Sequence, residues 1–289
     1  MLGVMLISCA TAFSWFVRQQ VRGTGRERIL LTNRSLAQVL TTAVMNLMYE
    51  VSTKVKYDSP TQKWFQPLVI PVDNSEVWMI KVTPLDDKIP LRNLFLPDGN
   101  TLRRELTDIW HNMLDKLNCT ALENILLDFF DRNNRPRVGS VELDTFINRG
   151  PYDISELLIL SKDIPYELIY SSEGSIGFDD YCTVFSDGQF NLNVAPLHVM
   201  ELLPGLDVTG LAARVEQVRR EKALTSMQDI ASLPGASSKT STMLTNIACF
   251  KSRYFQLDIQ CISMEGEDGT SFEIVFDRTT RKVVRWEES

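Results

Sequence analysis

Strand-like text occurs in two groups that stand far apart in this chain, and that separation constrains the fold more than any other feature. Near the end, Phe255, Leu257, Ile259 and Cys261 alternate with Gln256, Asp258 and Gln260, Phe272, Ile274 and Phe276 alternate with Glu273 and Asp277, and RKVVRW follows at 281–286. Alternation of period two gives each strand one apolar face only. The earlier group is LVIPV from Leu68, a turn at Asp73-Asn74-Ser75, then VWMIKVT to Thr83, rich in β-branched and aromatic residues and read as a hairpin. A one-sided sheet must lie on something apolar. Leu36, Leu40, Ala43, Leu47 and Val51 recur at offsets of four, three, four and four, one stripe of a helix expected over about 35–56. Ser35 with Gln38 is a capping-box signature for its start, and Asp58-Ser59-Pro60 marks its end.

Between the two groups, residues 101–245 read as helices and loops. Asp144 and Asp153 precede apolar runs, Pro151 and Pro165 break them, and Leu-Pro-Gly occurs at 203–205 and again at 233–235. The expected class is α+β: a stem helix packed on a small antiparallel sheet, with a large all-α insertion. The segments are an anchor and stem helix over 1–57, a first sheet segment over 58–100, the inserted α-domain over 101–245 and a second sheet segment over 246–289.

Residues 1–17 carry no charge, and Arg18, Arg22, Arg26 and Arg28 follow. A secretory signal, a lipoprotein signal ending at Cys9 and a buried core helix all compete here, but only Met1 and Leu2 precede Gly3, too few for the basic segment both signals need. A membrane anchor is the preferred reading, close to the lower length limit of a spanning helix.

Each Leu-Pro-Gly places its turn between two short helices, the pattern of a helix-hairpin-helix pair. Residues 191–245 hold five basic side chains (Arg214, Arg219, Arg220, Lys222, Lys239) and five acidic ones (Glu201, Asp207, Glu216, Glu221, Asp229). With a net charge of −7 for the whole chain, structural use is favoured over DNA binding. His111 and His198 sit in no metal-ligand spacing or nucleophile motif, and His198 reads as a packing residue. Residues 131–142, DRNNRPRVGSVE, have the length of a calcium loop, but Arg135 and Pro136 stand where a ligand and the turn glycine belong. Glu265, Glu267 and Asp268 share a hairpin loop with Gly266 and Gly269; a solvated turn and a hard-cation site both fit. The five cysteines, at 9, 119, 182, 249 and 261, form no CxxC pair.

Taken in order, these parts resemble the K-type minor pseudopilins of the bacterial type II secretion system, the GspK family. GVMLIS at 3–8 resembles a prepilin-peptidase site with cleavage between Gly3 and Val4, and VRQQ at 17–20 the end of an anchor. LLDFFDRNNRPRVGSVE at 126–142 is similar to the family's Asp-rich loop, DISELLIL at 153–160 to a helix start, and NLNVAP at 191–196 to its "NVNTAP" box. The leader lacks basic residues, Val194 stands where the family has Thr, and the Asp-rich loop is partly basic. Counted from Val4 the fifth residue is Ser8, where most pseudopilins carry Glu and the K type does not.

The resemblance implies a non-enzymatic protein, anchored by one span in the inner membrane with periplasmic C-terminal domains, at the tip of the pseudopilus. There it would support pseudopilus initiation and protein export across the outer membrane. Implied partners are the I- and J-type minor pseudopilins and the major pseudopilin, met through Leu36, Leu40 and Leu47 of the stem helix; nucleic acid is not expected. The resemblance also implies calcium, for which Glu265, Glu267, Asp268 and Asp277 are the candidate ligands. The alternative is a membrane-tethered helix-hairpin-helix DNA receptor of the competence type.

Overall fold

A computed structural model of the chain describes residues 26–71, 76–160, 162, 164–172, 174–207, 210–263 and 269–289. They divide into two compact units, the first reaching to Pro84 and resuming over Arg253–Ser289, the second spanning Leu85–Ser252.

In the first unit, helix α1 (Arg26–Lys54) lies on a five-stranded antiparallel sheet. Its strands are β1 (Leu68–Pro71), β2 (Glu76–Pro84), β7 (Tyr254–Ser263), β8 (Ser271–Asp277) and β9 (Lys282–Glu288), in the order β1-β2-β7-β8-β9. Alternation does here what it predicted: Trp78, Ile80 and Val82 from β2, Phe255, Leu257, Ile259 and Cys261 from β7, and Phe272, Ile274 and Phe276 from β8 share one buried cluster with α1. Each such side chain contributes about 1.5–3 kcal/mol when fully removed from water. Phe255 stacks between Phe65 and Phe276, with ring centroids 5.9 and 5.7 Å away.

The helix differs from expectation in two ways. Ser35 and Gln38 are exposed residues inside it rather than at its start. Its buried stripe is Leu36, Leu40, Val44 and Met48, flanked by Ala37, Thr41 and Met45. Weighting Leu47 and Val51 above methionine therefore shifted the predicted stripe by one residue in its second half. Unbranched Met45 and Met48 fill the irregular space over the sheet instead.

β2 and β7 are neighbours despite the long insertion between them, paired from Glu76↔Ser263 to Pro84↔Phe255. The chain leaves the sheet at Pro84 and returns just before Phe255, its register partner. An insertion that departs and returns on adjacent strands leaves the ladder intact.

The second unit begins and ends outside the expected 101–245. β3 (Ile89–Pro90) pairs in parallel with β4 (Cys182–Thr183), and β5 (Phe190–Asn191) with β6 (Ala248–Cys249), so both flanks belong to it. Two-residue strands carry no readable alternation, which is why the sequence shows neither pair. The unit is thus mainly helical rather than all-α: α2 (Arg104–Lys116), α3 (Glu123–Phe130), α4 (Tyr166–Ile169), α5 (Phe178–Tyr181), α6 (Leu197–Met200), α7 (Leu211–Glu221), α8 (Met227–Ala231) and α9 (Ser238–Leu244), with 3-10 turns between several of them. α2 buries Leu106, Ile109, Trp110, Met113 and Leu114, a stripe of helical period.

Segment 1–17, with Gly3 and Val4, lies outside the described residues. Among the described residues no helix is long and apolar enough to cross a membrane.

Candidate functional site

The stem helix does not offer Leu36 and Leu40 to a partner. Both are buried against the helix's own sheet, at 6% and 3% exposure, and Leu47 is half-buried. This corrects the expected partner face: the apolar stripe covers the one-sided strands, and what α1 turns outward includes Val39 and Tyr49.

The acidic loop fares differently. Glu265, Glu267 and Asp268 lie outside the described residues. Asp277 is paired with Tyr254 at the open end of the β7–β8 hairpin, whereas the loop closes the other end, beyond the pair Gln260↔Ser271. Six residues of strand separate Ser271 from Asp277, about 20 Å. Asp277 is also fully engaged: its Oδ2 receives Arg253 Nη2 at 2.7 Å, and its Oδ1 the N–H groups of Thr279 and Thr280 at 2.8 and 3.1 Å. Burial pushes its carboxyl up, but the bonds from Arg253 and Thr280 outweigh that and hold it below the usual carboxylate range. Asp277 is therefore withdrawn as a ligand of that loop. Among the described residues no three His, Cys, Asp or Glu side chains converge as a metal site.

The NLNVAP box is where the second unit's polar chemistry concentrates. Asn191 donates its N–H to Asp86 O at 2.6 Å and its Nδ2–H to Ser252 Oγ at 2.9 Å, tying the first and last turns of the unit to one residue. Asn193 grips Leu224 from both sides, Nδ2 to its carbonyl at 2.9 Å and Oδ1 from its N–H at 2.8 Å. Arg219 Nη1 donates to the carbonyls of Leu192 and Ala195 at 2.8 and 2.7 Å while its guanidinium pairs with Glu216. The box is irregular backbone in a buried place, and amide side chains supply the partners that a ladder would otherwise provide.

The Asp-rich loop is organised by a cation of its own. Asp128 and Asp131 are both completely buried. Arg137 meets Asp128 Oδ1 through Nε at 3.1 Å and Asp131 Oδ2 through Nη2 at 2.9 Å, and its backbone N–H reaches Asp128 Oδ2 at 2.8 Å. Burial nevertheless raises the Asp131 carboxyl, against the pull of Arg137. Arg135 and Pro136 make this segment a poor calcium loop, and its own Arg137 neutralises its carboxylates, which the sequence reading did not anticipate. The signal was present in the spacing Asp128, Asp131, Arg137.

Both Leu-Pro-Gly turns take the backbone their glycines permit, with φ of +90° at Gly205 and +89° at Gly235. α6 leads through the first turn towards α7, and the second joins α8 to α9. The turns pack reciprocally. A Cβ on Gly205 would lie 3.1 Å from Thr240 Cα in α9, and one on Gly235 would lie 2.5 Å from Arg214 Nη1 of α7. The groups that would hold a phosphate are occupied: Gly205 N–H donates to Asp207 Oδ1 at 2.8 Å, Arg214 bonds the Pro234 carbonyl, and Arg220 pairs with Glu216 at 2.9 Å.

His198 is half-buried, bonded to Asp180 O at 3.1 Å and edge-on to Tyr181, the packing role its sequence context indicates. His111 is exposed and pairs with Glu123. Cys119 and Cys182 are buried free thiols, and burial raises Cys119 to about 11.

Neither a protein-family model nor a curated protein sequence matches this chain. Among solved structures, a chain from the crystal structure of the GspK-GspI-GspJ complex of the enterotoxigenic Escherichia coli type 2 secretion system aligns with a TM-score of 0.61 and 14% sequence identity. The alignment covers 92% of this chain and 99% of that one. A helix on a five-stranded antiparallel sheet, interrupted by a mainly helical unit, is a pseudopilin-like fold.

Proposed function

We propose that this chain is a K-type minor pseudopilin, seated at the tip of a type II secretion pseudopilus, where it supports pseudopilus initiation and protein export across the outer membrane. The carrying observation is the plan of the whole chain: a stem helix, a sheet interrupted between β2 and β7, and an insertion whose two ends leave and return on adjacent strands. The fold likeness, over 92% of this chain and 99% of the solved neighbour, supports that reading. That neighbour belongs to a complex named for GspK, GspI and GspJ, which supports I- and J-type partners here. Ser8 in place of a carboxylate suits a subunit with none above it, and the segment from Val4 would anchor the chain in the inner membrane with its folded units periplasmic. The major pseudopilin would lie below. No catalytic role is proposed, and calcium enters the proposal only through Glu265, Glu267 and Asp268.

Partner contact is assigned to the outward side of α1, where Val39 is 41% exposed. Co-purification of the full chain with I- and J-type pseudopilins tests the reading. Val39→Asp should cut recovery of both partners by about tenfold, the order of change expected when a charge enters an apolar interface, while leaving the fold intact. Failure of the unaltered chain to recover either partner, or steeply salt-dependent capture of duplex DNA, would overturn it.

A further inference from the structure

In the second unit a cleft of about 420 Å³ opens beside the turn that carries Arg92 and Arg103, the end of α3 and the Arg149-Gly150 turn. Arg92, Arg103, Arg132 and Arg149 line it, and no carboxylate does. Four guanidinium groups around one cleft are unexpected in a chain of net charge −7.

Two of them are compensated from outside the lining: Arg103 by Glu105 at 2.7 Å and Arg149 by Glu156 at 3.1 Å. Arg92 and Arg132 have no ion pair among the described residues. Asp98, on the neighbouring turn, bonds Thr101 and the Asn100 N–H and feels the Arg132 charge only as the weakest influence on its carboxyl. The arginines are also held in place. Arg92 and Arg149 lie over the same Tyr152 ring, at 5.3 and 4.1 Å from its centroid. Arg132 crosses Gly99 and Arg103 crosses Gly188 so closely that a Cβ would stand 2.4 and 2.3 Å from them. Like charges crowded in this way favour an anion among them.

We propose that this cleft binds an acidic peptide segment of another protein, its spaced carboxylates meeting the arginines and an apolar side chain resting on Phe95 and Leu96. A compact phosphate fits less well, because phosphate seats present converging backbone N–H groups. Here the N–H groups of Leu96, Gly99, Arg103 and Arg132 are spent on backbone carbonyls. Spread positive charge over a partly apolar floor, with Leu96 44% exposed, suits carboxylates that alternate with apolar residues. This chemistry is independent of the pseudopilin reading.

The test is fluorescence anisotropy on the full chain with a labelled peptide of alternating glutamate and phenylalanine. The peptide should bind, and added salt should weaken it. Arg92→Glu with Arg132→Glu should lower affinity by at least about tenfold at an unchanged melting temperature, both side chains being exposed, and the neutral pair Arg92→Gln with Arg132→Gln should fall between. A lysine-for-glutamate peptide should not bind. The proposal is overturned if the acidic peptide fails to bind, if both double variants bind it unaltered, if inorganic phosphate competes at equal concentration, or if phosphatidylglycerol vesicles are captured while the peptide is not.

Discussion

The two units solve the same problem with different materials. In the unit of α1 and the sheet, backbone groups satisfy one another in a long helix and four ladders, so the side chains between them are free to be apolar. In the inserted unit the elements are short and the connections many, and side chains take over as partners of the backbone: Asn191 Oδ1 accepts the Asn193 N–H, Asn193 holds both backbone groups of Leu224, Asp128 accepts the Arg137 N–H, and Arg219 donates to the Leu192 carbonyl. The exception supports the rule. The first unit's buried ion pair, Arg278 to Asp58 at 2.9 Å, stands where regular structure stops, between the turn after α1 and the turn before β9. Irregular backbone, more than the presence of helix or strand, is what recruits buried polar side chains.

The contrast is broken most directly at Arg137. Arg137→Met keeps the volume but leaves Asp128 and Asp131 buried without a cation, and should cost about 3–5 kcal/mol. Hydrogen exchange should accelerate over residues 85–252; a loss below about 1 kcal/mol would mean that the polar network is incidental. In the apolar unit, Leu40→Ala should cost about 2–5 kcal/mol in urea unfolding, through lost transfer energy and a cavity over the sheet. The outward Val39→Ala beside it should stay within about 0.5 kcal/mol, so equal losses would show that the helix is seated on its other face. Asn193→Ala should cost about 1–3 kcal/mol, because both backbone groups of Leu224 lose their partner at once; Asn193→Asp should restore only the half that accepts.

The smallest expected effect depends on pH. Burial raises the carboxyl of Asp87 to about 7, with Lys88 opposing. Its folded value thus lies above the ordinary 3.8, so the stabilisation it brings as a neutral acid is complete below about pH 4 and is lost as pH rises through about 7. Asp87→Asn should flatten that decline between about pH 4 and 7 in melting experiments. Asp87 keeps partial exposure, so solvent screens the change.

How much could be read in advance follows from the same contrast. Strand β7 was legible to the residue because Phe255 through Cys261 need only the pleat to state which face is buried; in β8 the same alternation marked Phe272, Ile274 and Phe276, but Val275 and Asp277 on the other face are buried as well. The stem helix was legible in kind, but not in the side it presents: Leu47 outranks Met48 as a hydrophobe, yet the sheet's surface buried Met48. Of the proposed site residues, Leu36 and Leu40 were correctly marked as the stripe that covers the sheet, and the burial this brings leaves neither of them exposed for a partner. Asp277 was placed with a loop from which a full strand separates it. The arginine cleft could not be seen, since Arg92, Arg103, Arg132 and Arg149 converge from three separate turns.

By itself, then, the sequence determined the periods: two for the strands, about 3.6 for α1 and α2, and the left-handed glycines at 205 and 235, because each depends on residues within a few positions of one another. Tertiary structure alone decided which cation lies beside Asp128 and Asp131, which chain segments Asn191 ties together, and where β2 finds β7. Those outcomes depend on distances between groups tens to hundreds of residues apart, and a buried charge or amide is settled by whichever partner the packed chain brings within hydrogen-bond reach.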